Sequence, residues 1–415
     1  MLREVESNKK CYDPLVVSIG PYHHGKRELE VVEQLKYKFA KQFCLACGDL
    51  VSSMNKLYQE VAEVAHCARE CYEEDSTAKY NNESFTEMMF LDACFVLQFM
   101  CILTATEEKD QLPTMKSYLG AFVWRDLFLL ENQIPLLVLK VLLKFRFDGN
   151  TELIQKFLDL PTKNKPPEEA SCTNKIKKFV KKFVNERRSD SQTNDKKELQ
   201  LDASPHLLDL MWKQLAESPT SPVPIRKRSD QWHSYRSVTE LEAAGISFKA
   251  SKTRKVTDVK FEDHLVYGTM LIPPLVVDDS TKPLLLNLVA YEMSPNGPSD
   301  SHIMSYIGLM DSLIDHANDV KELRKKGILL NNLGSDELLA ALFNEIGNDL
   351  VPDLRAYVGV KDQIENHWRN KCLVWIAEWN HKHFSSPWTI SAFLAAILAL
   401  ALTMVQTYFS FFPRS

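Results

Sequence analysis

One stretch near the end of this chain limits its fold more than any other. Residues 388–412 read WTISAFLAAILALALTMVQTYFSFF, and none of them carries a charge. At 1.5 Å per residue, a helix of that length covers the roughly 30 Å hydrocarbon core of a bilayer. Trp388 and Tyr408 lie near its two ends, where amphipathic rings favour the headgroup zone. A helix packed on a soluble domain carries a polar stripe, whereas the main breaks here are Thr403, Gln406 and Thr407. Residues 388–412 are therefore expected to form a single transmembrane helix with Trp388 and Tyr408 at the interfaces.

The opposite end bears on orientation. The first ten residues, MLREVESNKK, contain no apolar run, so they do not read as a secretory signal. A span this far along the chain inserts after synthesis, which leaves the preceding residues facing the cytosol. Arg369, Lys371 and Lys382 before the span, against Arg414 after it, agree with the positive-inside tendency. Nine cysteines, an odd number without a regular framework, fit a reducing compartment. The expected location is the plasma membrane or an endomembrane, crossed once.

Within 415 residues, 45% hydrophobic and 25% charged content suffices for one large core or two modest ones. A net charge of −5 gives no overall attraction to nucleic acid. The charge is unevenly spread, however. Residues 175–197 read KIKKFVKKFVNERRSDSQTNDKK, a second knot follows at Arg226-Lys227-Arg228, and prolines stand at 205, 219, 222 and 224. Residues 161–235 thus read as a variable, solvated connector. Within it, 175–184 has the pattern of a short basic amphipathic helix, open to reading as a solvated insert or as a contact with anionic lipid. The expected organisation is a helical lobe at 1–160, this connector, an α+β lobe at 236–384, and the span.

Helical periodicity predicts helices over 29–48, 50–71, 118–130 and 136–145. Residues 85–103 are apolar nearly all round apart from Asp92 and Gln98, the pattern of a fully buried core helix. Asn132 or Gln133 is expected to cap the helix that starts near Pro135, whose missing N–H needs no partner in a first turn. Alternating apolar residues at 246–250 and 256–273 predict a small sheet. One long helix is expected over 301–326, stopped by Lys325, Lys326 and Gly327, and another over 336–346, capped by Ser335. The fold class is mainly α-helical, α+β with a small sheet element in the second half.

Several of these residues carry a resemblance. Tyr12-Asp13-Pro14 and Val17-Ser18-Ile19-Gly20-Pro21-Tyr22-His23-His24-Gly25 open it. Leu91-Asp92-Ala93-Cys94-Phe95, Asp126 with Leu130-Glu131-Asn132-Gln133-Ile134-Pro135, and His206-Leu207-Leu208-Asp209-Leu210 follow in order. Further on come Ala244-Gly245-Ile246-Ser247-Phe248-Lys249, Asn287-Leu288-Val289-Ala290-Tyr291-Glu292 and Pro387-Trp388. This ordered set resembles the plant "domain of unknown function 247" family over nearly the whole chain. Two departures are visible: the Val-Pro-rich segment that usually precedes the Tyr-x-Pro motif is missing or curtailed, and Met293 stands where Gln is frequent. The resemblance implies a C-terminal span and no settled enzymatic activity. Some grass members lie at self-incompatibility loci as candidate pollen determinants, which implies recognition or signalling for the family. It marks Gly20, Pro21, Tyr22, His23, His24, Asp92, Glu131, Asn132, Gln133, Pro135, Asn287 and Glu292 as signature positions.

Chemistry is hard to assemble from these residues. There is no phosphate-binding glycine loop, nucleophile elbow or His-Glu-x-x-His helix. His23 and His24 are adjacent, so on extended backbone they point to opposite faces and cannot readily share one metal. Glu131-Asn132-Gln133 reads as a polar lock or cap, because buried polar groups require partners. Cys44-x-x-Cys47 and Cys67-x-x-x-Cys71 have the numbers for a four-thiolate zinc site, yet their helical spacing reads as small core residues. His381-x-His383 reads as an interfacial flank. No catalytic residue, cofactor or metal ligand is expected. The reading is a membrane-tethered recognition or scaffold protein with an unidentified protein partner. The alternative is a membrane-bound enzyme, a hydrolase using His23, His24 and Glu131.

Overall fold

The computed structural model describes residues 8–104, 117–160, 203–217, 236–264, 267–348, 350–353, 356–369, 395, 398–405 and 407. Its first half is built around one apolar helix. The helices α1 (Glu30–Leu45), α2 (Leu50–Arg69), α3 (Glu74–Thr77) and α4 (Asn82–Leu103) come first. They are followed by α5 (Ser117–Asp126), α6 (Leu136–Phe147) and α7 (Glu152–Leu158). Asn81 caps α4 by accepting from Ser84 N at 2.7 Å, which satisfies one of the orphan donors of its first turn. α4 packs against α1, α2, α6 and α7. Neighbours on several sides explain why its apolar surface wraps right round. Phe95 meets Phe39 of α1 at a ring-centroid distance of 4.8 Å. The two polar interruptions are both matched: Gln98 Oε1 accepts from Arg146 Nη1 at 2.8 Å, and Asp92 pairs with Lys36.

The second half combines α8 (Leu207–Ala216), α9 (Val238–Ala243), two small sheets, and the helices α10 (Thr281–Glu292), α11 (His302–Leu313), α12 (Ala317–Lys325), α13 (Asp336–Gly347) and α14 (Val358–Arg369). Strands β1 (Ile246–Ala250), β2 (Lys260–Asp263) and β3 (Gly268–Ile272) form one sheet in the order β1-β3-β2. β1 runs parallel to β3, with Ile246 opposite Gly268, and β2 runs antiparallel to it. Ile246, Phe248, Met270 and Ile272 are buried, the alternation that a sheet with one core face requires. A second, two-stranded parallel sheet joins β4 (Leu275–Val277) to β5 (Leu329–Asn331). The chain is thus mainly helical with small sheets in its second half, and one contiguous cluster of buried residues runs from Cys11 to Ile346.

Several expectations need correction. The helix predicted over 118–130 stops at Asp126, and residues 127–135 form an irregular turn instead. Neither Asn132 nor Gln133 caps α6. Pro135 is its N-cap, and the Leu136 N–H is satisfied by Pro205 O at 2.8 Å. The single helix expected over 301–326 is two, broken at 314–316 where Ile314 adopts ψ 87°. Asp319 drives that break: its Oδ2 accepts from His316 N at 3.1 Å and Asp315 N at 3.2 Å, closing a capping box at the start of α12. The connector proposed for 161–235 is interrupted by α8, whose Leu207, Leu208, Leu210 and Met211 enter the core. Residues 161–202 and 218–235, with both basic knots and 175–184, lie outside the described residues.

Most of the predicted span, with Trp388 and Tyr408, also lies outside them, as does His381-x-His383. The described part at 398–405 is helical, and Leu398, Leu400, Leu402, Met404 and Val405 are all exposed, from 51% to 72%. Among the described residues, the helix long and apolar enough to cross a membrane is α4, and it is mostly buried in the core.

Candidate functional site

The signature positions converge on one strip of backbone, residues 12–25, which is laid across α1, α4, α5 and the 127–135 turn. Irregular backbone without a sheet partner leaves many of its N–H groups without backbone acceptors, so side chains must supply them. Asp126, at the end of α5 and fully buried, does this for three in succession. Its carboxylate accepts from Leu15 N at 2.9 Å, Val16 N at 2.8 Å and Val17 N at 3.2 Å. Arg125 neutralises it at 2.7 Å and reaches back to Asp13 O and Lys10 O. Burial pushes the Asp126 carboxyl above the usual carboxylate range, against the pull of those hydrogen bonds and of Arg125.

The 127–135 turn continues the lock. Asn132 accepts from Ile19 N at 2.7 Å and donates to Val17 O at 3.1 Å and Asp126 O at 2.9 Å. Gln133 Nε2 donates to Leu127 O and Leu129 O, while its Oε1 accepts from Leu208 N at 3.1 Å, the start of α8. Gly20 sits where nothing larger fits. Its φ is +75°, and an added Cβ would stand 2.7 Å from Gln133 O and 2.9 Å from the Tyr72 hydroxyl. That hydroxyl itself donates to Gln133 O at 3.0 Å.

Beneath the strip lies a closed ion cluster. Lys36, only 1% exposed, contacts Asp92 Oδ1 at 2.5 Å and Glu33 Oε1 at 2.6 Å, and donates to Ser18 O at 2.6 Å. Asp92 Oδ2 accepts from Gly20 N at 2.8 Å, and Ser18 Oγ donates to Glu33 Oε1. Burial raises the Asp92 carboxyl, with Lys36 opposing and Glu33 adding to the shift. An ion pair this enclosed contributes little net stability, because desolvation offsets the attraction, but losing one partner is costly. The chemistry open to it is to fix the strip in one register.

The histidines part company. His23 is fully buried with Nε2 3.9 Å from Glu131 Oε2, whereas His24 turns outward, its Nδ1 3.7 Å from Glu33 Oε2. Pro21 O and His24 O both accept from the Tyr80 hydroxyl. So the structure brings His23 to Glu131 and sends His24 elsewhere. Tyr22, His24 and Glu131 form the outward rim, with the Tyr22 side chain 47% exposed. A shallow open depression of about 430 Å³ lies between the start of α12 and α13, lined by residues such as Asp315, His316, Glu337 and Asn344. It shares no lining residue with this cluster.

The last two signature residues tie the second half in. Asn287 accepts from Leu130 N at 2.8 Å and donates to Cys11 O at 2.9 Å and Pro283 O at 2.8 Å. Glu292 Oε1 accepts from Trp212 Nε1 at 2.8 Å and Ile303 N at 2.7 Å, and Oε2 from Met304 N at 2.9 Å. A carboxylate at those two amides caps α11 and favours its positive end, although burial raises its pKa.

This ordered set of locks follows the motif order along the chain, and comparison with known sequences agrees with it. Residues 1–402 match the DUF247 model, described as a plant protein of unknown function. The chain belongs to this family. It is 28% identical to UPF0481 protein At3g47200 of Arabidopsis thaliana, over 97% of this chain and 83% of that one. It is 24% identical to the putative UPF0481 protein At3g02645 of the same plant, over 98% and 89%. No solved structure matches the chain.

Two contributors escaped the sequence reading. Arg125 gave no spacing signal, standing beside Asp126 at a helix end. Lys36 did leave one. It occupies a slot on the apolar stripe of Val32, Phe39 and Phe43, where a charge implies a buried partner. The cysteines divide as well: Cys44 and Cys94 are buried, but Cys67 and Cys71 are exposed, which corrects their reading as core residues.

Proposed function

We propose that this is a membrane-tethered recognition or scaffold protein that acts through protein contacts on the cytosolic side. The observation that carries the tether is the helical 398–405 segment, whose leucines, methionine and valine are exposed inside a 388–412 stretch without a charge. Exposed apolar surface of that extent calls for a lipid or protein cover. The recognition role is supported by how the signature polar groups are spent. Asp92, Asp126, Asn132, Gln133, Asn287 and Glu292 accept from or donate to backbone groups that hold the 12–25 strip and the helix ends. Of the signature side chains, Tyr22 is left exposed and His24 and Glu131 half-buried at the rim of the strip.

The His23–Glu131 approach favours the second reading, a membrane-bound hydrolase, and a single substitution separates the two. Glu131→Gln keeps the shape and removes the charge and the general-base capacity. Recognition predicts a folded, correctly located protein with its biological activity retained; a catalytic role predicts the same folded protein inactive. The tether is tested by deleting from Trp388 onward, which should move the protein from carbonate-washed membranes into the soluble fraction. Retention of the truncated chain in the membranes would remove the proposal's basis.

A further inference from the structure

We propose that the C-terminal end of α2 binds a soft divalent cation of the zinc type, held by His66, Cys67 and Glu70 with Cys71 beside them. The donor atoms of His66, Cys67 and Glu70 already lie within 4.8 Å of one another, and all three residues are exposed. His66 Nδ1 and Glu70 Oε1 stand 3.5 Å apart. Two ligands at about 2.0–2.1 Å from a tetrahedral zinc are about 3.3–3.5 Å apart, so this pair needs no rearrangement. Cys67 must approach by a side-chain rotation that its exposure permits.

The helix makes this set. His66 with Glu70 and Cys67 with Cys71 are two i, i+4 pairs on neighbouring faces of the last turn. Cys71 Sγ lies 3.4 Å from Cys67 O, which keeps the second thiol against the same turn. The four-thiolate alternative is excluded by geometry. Cys44 and Cys47 lie at the α1–α2 corner, and α2 starts at Leu50, which puts about 26 Å of helix between that corner and Cys67.

Electrostatics favour a cation here. The carbonyl end of a helix carries partial negative charge. Glu60, Glu63, Glu70, Glu73, Glu74 and Asp75 surround the turn in sequence, with Arg69 the lone Lys or Arg between residues 60 and 75. Arg69 is also held away. Its guanidinium donates to Thr77 O at 3.0 Å and Asn81 O at 3.1 Å and lies 4.2 Å from the centre of the Phe85 ring. Bound metal would clip the end of α2 to the turn that leads into α3.

The full-length protein in detergent micelles, reduced and stripped of metal, should be titrated with Cd²⁺ while the thiolate-to-cadmium ultraviolet band is followed. One equivalent should bind, be displaced by Zn²⁺, and protect Cys67 from alkylation as read on its peptide by mass spectrometry. His66→Ala should weaken the site more than the roughly tenfold that loss of even an outer-shell partner costs, and Cys67→Ser should abolish the band. Circular dichroism should be unchanged in both, because the side chains are exposed. Equal Cd²⁺ affinity in the His66→Ala/Cys67→Ser double variant would overturn the proposal. So would an alkylation rate at Cys67 that Zn²⁺ leaves unaltered.

Discussion

His206 makes the stability of this fold depend on pH through one ring. It is the N-cap of α8, and its Nδ1 accepts from Asp209 N at 3.1 Å. A cap of this kind works only while that nitrogen keeps its lone pair. Burial holds the ring's pKa down to about 4 from an ordinary 6.5, with Lys213 adding to the shift and Asp209 opposing it. In the unfolded chain the ring takes up its proton on acidification through 6.5, while in the folded chain it stays neutral down to about 4. The unfolded state therefore binds more protons in that window, and stability is lost as pH falls through it. At 1.36 kcal/mol per pKa unit, acidification from about pH 7 to about pH 5 costs about 2 kcal/mol through this residue. The ring is not wholly enclosed, so that figure is an upper value. Asp92, Asp126 and Glu292 carry raised pKa values, and their contribution runs the opposite way, so the wild-type curve alone is not diagnostic. His206→Asn keeps a side-chain acceptor at the cap and removes the titration. Denaturant unfolding of both proteins in micelles at the two pH values isolates the term as a difference. The gap in stability between wild type and variant should shift by about 2 kcal/mol toward the variant on acidification. A gap that stays constant would show that His206 is charged in the folded state and that this account of the cap is wrong.

Three further substitutions test the lock. Gly20→Ala forces a side chain into positive φ and against Gln133 O and the Tyr72 hydroxyl; it should cost about 1–3 kcal/mol from the backbone alone, seen as a lowered thermal midpoint. Asn287→Ala strands Leu130 N and Cys11 O and should destabilise by about 2–4 kcal/mol. Asn287→Asp, which keeps the acceptor for Leu130 N and loses the donor, should fall between Ala and wild type in the same unfolding assay.

What the sequence made legible followed from local pattern. α4 could be read as buried because its apolar residues leave no wet face, and α13 because Ser335, Asp336 and Glu337 mark its start. The break between α11 and α12 was not legible, since Ile303, Ile307, Leu313 and Val320 keep one helical face across it. What interrupts the helix is Asp319, and it is fixed in place by a residue 80 positions away: Thr239 N and Oγ1 both donate to its Oδ1 at 2.9 Å. β4 and β5 escaped for the same reason, being three-residue strands defined only by pairing across the α10–α12 helices. The signature residues were visible as motifs, and Glu131-Asn132-Gln133 as a polar lock or cap, but the partners they hold were not. That Asn287 answers Cys11 and Leu130 depends on three distant segments meeting, which no spacing encodes.

The two most apolar helical segments differ in how their polar atoms are satisfied, and that contrast bears on the tether. In α4, Asp92 and Gln98 rely on Lys36 of α1 and Arg146 of α6. Such a helix is stable only inside a protein that brings those partners, because an unpaired polar group in an apolar medium costs several kcal/mol. In 398–407 the threonines need nothing from outside. Thr403 Oγ1 donates to Ala399 O at 2.6 Å and Thr407 Oγ1 to Thr403 O at 2.8 Å, each one turn back on its own helix. Hydroxyls that close onto their own backbone need no outside partner, which is what hydrocarbon asks of a polar group and what the tether proposed above requires at these two positions. Composition alone ranks both segments as candidates to cross a membrane. The source of the hydrogen-bond partners marks α4 as a helix that must stay in the core, while Thr403 and Thr407 place no such demand on the tether proposed above.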